Sequence, residues 1–252
     1  MNNTTEKIIA KVPEVTLLFW VIKVAATTLG ETGGDAVSMS MNLGYLTATA
    51  IFAAIFIAAV GVQIAAKRFH PYVYWTTIIA TTTVGTTLAD YADRSLGIGY
   101  AGGTSLLFTL LIASLVLWYR TLGTVSVESV SSPKAEVFYW VTIMFSQTLG
   151  TALGDWTADT AGLGYTGGAA VFSGLLALVV AAYYWTTISR TLLFWAAFVL
   201  TRPLGAVVGD FLDKPTASGG LALSRYSASA ALLIFIVACL IIFKHKPAGK
   251  SH

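Results

Sequence analysis

Four aspartates, Asp35, Asp90, Asp155 and Asp210, stand at one position of a pattern that recurs four times, and they carry the chemistry that the sequence suggests. Each follows a tryptophan by fifteen residues and a glycine by five: Trp20, Trp75, Trp140 and Trp195, then Gly30, Gly85, Gly150 and Gly205. The residue before each aspartate is small: Gly34, Ala89, Gly154 and Gly209. The unit reads W-x9-G-x3-[GA]-D without a gap, and chance does not supply that four times. Asp93, Asp159 and Asp213 are secondary acids three or four residues further on. Oxygen donors without clustered cysteine or histidine favour hard cations such as magnesium, calcium or manganese, or else sodium or protons.

Steps of four back from each aspartate follow one helix face, drifting about 40° per step. They give Lys23-Thr27-Glu31-Asp35, Ile78-Thr82-Thr86-Asp90, Ile143-Gln147-Thr151-Asp155 and Phe198-Arg202-Ala206-Asp210. Thr86, Thr151 and Gln147 are expected to add neutral oxygen ligands to those of the four aspartates, which form the tentative metal site. Glu31 is the one carboxylate at its register and Arg202 the one base at its own. A buried unpaired charge costs several kcal/mol, so Arg202 and Glu31 are expected to pair where the fourth unit closes on the first. Lys23 is expected to share that negative charge, which would leave the four aspartates free for an ion.

The elements that carry these stripes belong in a membrane. Of 252 residues 56% are apolar and 11% charged, against about 25% charged in soluble domains. Apolar stretches predict helices at about 14–37, 44–66, 72–93, 100–121, 136–158, 165–188, 191–212 and 221–243, each near the ~20 residues that a span requires. The first contains Lys23, Glu31 and Asp35 and is followed by copies of itself, so it is read as part of the fold rather than as a signal peptide. The tryptophans lie 55, 65 and 55 residues apart, giving two halves, 1–124 and 125–252, within one integrated membrane domain. Every unit holds two helices, so the repeats are parallel, unlike the inverted repeats of many transporters. Helices 2 and 8 are apolar almost all round, so odd helices should be central and even helices peripheral, facing lipid.

Ten basic residues fall in segments on the side of the termini and three, Arg94, Lys214 and Arg225, on the other. The positive-inside rule then makes both termini cytoplasmic. Fifteen residues of helix span about 22 Å, which would put the tryptophans at the cytoplasmic interface as aromatic anchors and the aspartates in the outer leaflet, below an external vestibule.

The segment KVPEVTLLFWVIKVAATTLGETGGD and its three copies resemble the bacterial membrane proteins built from a tandem repeat of unknown function, a family of uncharacterised membrane-anchored proteins. The resemblance covers nearly the whole chain and implies a repeat-built bacterial inner-membrane protein, without naming a substrate. The leading expectation is a cation transporter that needs no organic cofactor, whose partners are the lipid bilayer, an inorganic cation and, structurally, a bound divalent ion. A non-transporting sensor or assembly protein with a structural cation site is the alternative from another class. A cation channel is the second: Gly-x-Gly-Tyr at 97–100 resembles a potassium filter in outline, but nine residues between Asp90 and Tyr100 are too few for a pore helix, and the fourth unit lacks Gly-Tyr. No G-x-S-x-G, H-E-x-x-H or paired cysteines suggest an enzyme, and basic residues at helix ends do not form a nucleic-acid patch.

Overall fold

The computed structural model describes residues 10–249, and those residues form eight long α-helices. They are α1 (Leu17–Asp35), α2 (Tyr45–Ala65), α3 (Pro71–Asp90), α4 (Tyr100–Leu122), α5 (Pro133–Asp155), α6 (Gly164–Trp185), α7 (Arg190–Asp213) and α8 (Arg225–Ile242). Helices α2, α4, α6, α7 and α8 are long and apolar enough to cross a membrane. The polar threonines and charges of α1, α3 and α5 are buried among neighbouring helices. This is a helical membrane protein.

The odd helices close into a ring: α1 packs on α3, α3 on α5, α5 on α7, and α7 back on α1. Each even helix covers the odd helix of the next unit rather than its own, α2 on α3, α4 on α5, α6 on α7 and α8 on α1. Most side chains of the even helices stay exposed, as their apolar surface requires in lipid.

The repeated glycines set the ring spacing. Gly30 faces Thr82 on the next helix, Gly85 faces Gln147, Gly150 faces Arg202, and Gly205 closes the cycle against Thr27. One turn on, Gly34 lies against Thr86, Gly154 against Ala206 and Gly209 against Glu31. A Cβ at Gly85 would sit 2.9 Å from the backbone carbon of Gln147 and 3.0 Å from the nitrogen of Thr148, where no side chain can yield. Gly85→Ala is therefore expected to cost about 1–3 kcal/mol through overpacking. Gly174→Ala, on α6 with nothing within 4 Å, should be neutral or stabilising by up to about 1 kcal/mol. Thermal unfolding of the two variants in detergent checks the contrast; equal losses would mean that the ring is not spaced by its glycines.

Three units end alike. Helices α1, α3 and α5 run through their aspartates into single π-helical turns at Ala36–Ser40, Tyr91–Ser95 and Trp156–Thr160. Gly44 (φ 75°, ψ 162°) and Gly99 (φ 75°, ψ 152°) then turn the chain through backbone angles open essentially to glycine alone, which accounts for the Gly-Tyr pairs. The fourth unit departs: Lys214-Pro215 stops α7, and 214–224 folds back with Leu221 N–H donating to Phe211 O (2.7 Å). That loop delays α8 to Arg225, beyond the residue 221 expected from apolarity. At the other end α1 begins at Leu17, because 10–16 is extended: Glu14 N–H donates to Lys246 O, and Ala248 N–H to Val12 O. The segments next to both termini thus lie together at one end of the bundle. Lys7 and Lys250, counted in the charge asymmetry, lie outside the described residues.

Candidate functional site: the polar axis of the ring

The stripe extends one step further down than the polar residues suggest. Phe19, Tyr74, Tyr139 and Phe194 occupy the next register, four residues below Lys23, Ile78, Ile143 and Phe198, and all four are buried. Each meets the tryptophan of the neighbouring unit in cyclic order, with ring centroids 5.4 Å apart for Phe19–Trp75, 5.7 Å for Tyr74–Trp140, 6.2 Å for Tyr139–Trp195 and 5.7 Å for Phe194–Trp20. Tyr74 and Tyr139 share a hydroxyl hydrogen bond of 2.7 Å. The repeated tryptophans are therefore not lipid-facing anchors. Trp75, Trp140 and Trp195 are buried between helices, and the eight rings close the axis at the end that bears the termini, each pair adding about 0.5–1.5 kcal/mol.

Above this floor Arg202, fully buried, crosses the axis. Its Nη2 lies 2.9 Å from Glu31 Oε2 on α1 and 2.6 Å from the hydroxyls of both Thr86 on α3 and Thr151 on α5, while Nη1 donates to Thr27 O at 3.3 Å. One guanidinium thus holds all four inner helices together. The arginine and glutamate that break the repeat meet, as unmatched buried charges must. Two expectations fail here. Thr86 and Thr151 give their oxygens to Arg202 instead of to an ion beside the aspartates. Lys23 does not share Glu31: its Nζ sits 4.2 Å from the centre of the Phe198 ring and has no hydrogen-bond partner. The cause is that helical side chains lean towards the N-terminus, and Lys23 lies two turns below Glu31.

The four aspartates share one layer, each no more than 3% exposed, so they do not line an open vestibule. Nor are they free. Lys214 Nζ lies 2.5 Å from Asp35 Oδ2 and 3.0 Å from Asp210 Oδ1. Arg94 lies 3.1 Å from Asp90 through Nε and 3.3 Å from Asp155 through Nη2. The two cations stand four residues past their own aspartates and 120 residues apart, so each half contributes one clamp across the boundary to the next unit. They also supply the positive charge that carboxylates at helix C-termini require. Burial alone would lower the pKa of the Lys214 ammonium, but Asp210, Asp35 and Asp213 hold it above its ordinary value.

The secondary acids separate. Asp213 is buried and bound by Arg225 Nε at 3.0 Å, and Arg225 Nη2 also reaches within 3.7 Å of Asp35. Asp93 is half-buried against α4, and Asp159 is exposed. Gln147 is fully buried two turns below Asp155, away from the aspartate layer, with neither amide atom partnered. Oxygens of Glu31, Asp35 and Asp210 come within 4.8 Å of one another, the closest grouping of acidic ligands among the described residues. Arg225 and the aromatic row were missed in the sequence; one more step of four along each stripe reaches the rings.

No curated protein and no solved structure matches the chain. A family model described as "Repeat of Unknown Function (DUF347)" matches at residues 18–69, 73–124, 138–189 and 193–245, each stretch starting two residues before a repeated tryptophan. Four tandem matches span most of the sequence, and the chain belongs to this DUF347 repeat family.

Proposed function

We propose that the protein is a transporter of a hard inorganic cation, of the magnesium, calcium or manganese class or coupled to sodium or protons, in the bacterial inner membrane. The observation that carries this reading is the site shared by Glu31, Asp35 and Asp210, three buried carboxylates with oxygens within 4.8 Å and the Lys214 ammonium bound to two of them. Ionisable groups at membrane depth are costly and mark ion routes. A tethered ammonium between two carboxylates holds the place of a cation that an exchange step would bring in. Around the layer the four aspartates have two clamps, Lys214 and Arg94, and so keep negative charge that an incoming ion would neutralise.

A carrier suits this geometry better than a channel, because Arg202 crosses the axis and the aromatic floor closes it below. Orientation follows from the charges. The cations at the aspartate end, Arg94, Lys214 and Arg225, are all bound to carboxylates, whereas Lys67, Arg68, Arg120, Lys134, Lys244 and Lys246 gather at the end of the termini, which makes that end cytoplasmic. Purified protein in proteoliposomes, offered magnesium, calcium, manganese and sodium with and without a pH gradient, should move at least one of them faster than protein-free vesicles. Absence of flux for every ion under both conditions would reject transport in favour of a structural cation site.

A further inference from the structure

Below the Arg202–Glu31 pair the axis holds a second polar cluster that the cation reading does not use. Lys23 Nζ, Arg202 Nε, Gln147 Nε2 and Thr82 Oγ1 are all buried and all without hydrogen-bond partners. Their residues are no more than 0% exposed. Thr82, Gln147 and Arg202 share one register on α3, α5 and α7, and Lys23 stands one turn lower on α1. Every one of these atoms can donate a hydrogen bond, and two belong to cationic side chains. Lys23 and Arg202 lie close enough for their like charges to interact, and Glu31 faces Arg202 from the far side. The face of the Phe198 ring offers the ammonium partial compensation on one side, but a ring accepts none of its N–H bonds in the ordinary sense. Buried polar groups are nearly always partnered, so two charged and two neutral donors converging without an acceptor define what is missing: a negative charge.

We propose that Lys23, Arg202, Gln147 and Thr82 bind a small inorganic monoanion of halide size on the ring axis. The size follows from the walls. Ile78, Ile143 and Phe198 complete the Lys23 layer, and the aromatic rings seal it below; these close apolar neighbours favour a compact ion of low hydration cost over an organic acid. The site is independent of the aspartate layer, which lies on the other side of Arg202.

The test is the thermal unfolding midpoint of the detergent-solubilised full chain in sodium chloride, sodium bromide and sodium gluconate at equal ionic strength. A saturable site occupied at about ten times its dissociation constant should raise the wild-type midpoint by about 3–5 °C in chloride or bromide relative to gluconate. Lys23→Met should abolish that difference while remaining folded, since methionine keeps the stem without the charge. If Lys23→Met does not fold, Gln147→Leu decides, with the halide response expected to shift to at least tenfold higher concentration. A wild-type midpoint equal in all three salts overturns the proposal. So does a halide response retained at wild-type strength by Lys23→Met or, where that variant does not fold, by Gln147→Leu.

Discussion

Arg202→Met should lower stability by about 3–5 kcal/mol, the largest single-site loss expected in the chain, because it leaves Glu31 charged and buried without its partner. The effect reaches beyond the pair. The same guanidinium binds Thr86, Thr151 and the Thr27 carbonyl, so its loss removes the one side chain that touches all four inner helices. Glu31→Gln alone should cost less, since the amide keeps an acceptor for Arg202. The double variant Arg202→Met/Glu31→Gln should recover most of the single loss, because a neutral pair needs no counter-charge. A double-mutant cycle on chemical unfolding in detergent micelles measures the coupling. Additive effects within about 0.5 kcal/mol would show that the two side chains do not act as a pair.

Lys214→Met is expected to act in the opposite sense on cation binding. Lys214 occupies Asp35 and Asp210 together, so it competes with any ion for the same oxygens. Without the ammonium the two carboxylates repel each other, and the fold should come to depend on an added cation. The apparent affinity of the variant for the transported ion should rise about tenfold or more, and its unfolding midpoint should fall in chelator and recover with the ion. Turnover should drop, because a site that no longer has its own displacing cation releases its ion slowly. Arg94→Met, at the equivalent place between Asp90 and Asp155, provides the internal comparison. Unchanged affinity in both variants would mean that the clamps are purely structural.

Much of this architecture was legible because the repeat is strict. Equal spacing from tryptophan to aspartate fixed which face of each odd helix points inward, and the two broken positions, Glu31 and Arg202, identified each other because neither could be buried alone. The tryptophans were harder to read. An indole four residues into an apolar helix has the same local sequence whether it meets lipid or a neighbouring helix; the distinguishing sign is the aromatic residue immediately before each one, because adjacent positions point about 100° apart and one of the two must face the axis. Lys23 was misplaced for a similar reason: register alone gave its height but not the lean of its side chain towards Phe198. The π-helical turns carried no sequence mark beyond the glycine that follows them. The clamping of the aspartates was visible as spacing, with Arg94 and Lys214 each four residues past an aspartate, but reach across to Asp155 and Asp35 depends on which helices become neighbours. That is a property of ring closure and not of any local segment.

The central claim, that the aspartate layer carries a cation through the protein, is tested most directly by ion flux into proteoliposomes for wild type, Asp35→Asn and Asp210→Asn, compared at equal amounts of monodisperse reconstituted protein. Asparagine keeps the shape and an oxygen ligand but removes the charge that pairs with Lys214 and would bind an ion. Both variants should remain folded and lose at least about 100-fold in flux, since the loss of a buried charged ligand is worth about 3 kcal/mol or more. Flux at the wild-type level in both folded variants would contradict the account and leave the aspartates as counter-charges that hold Lys214 and Arg94 in place.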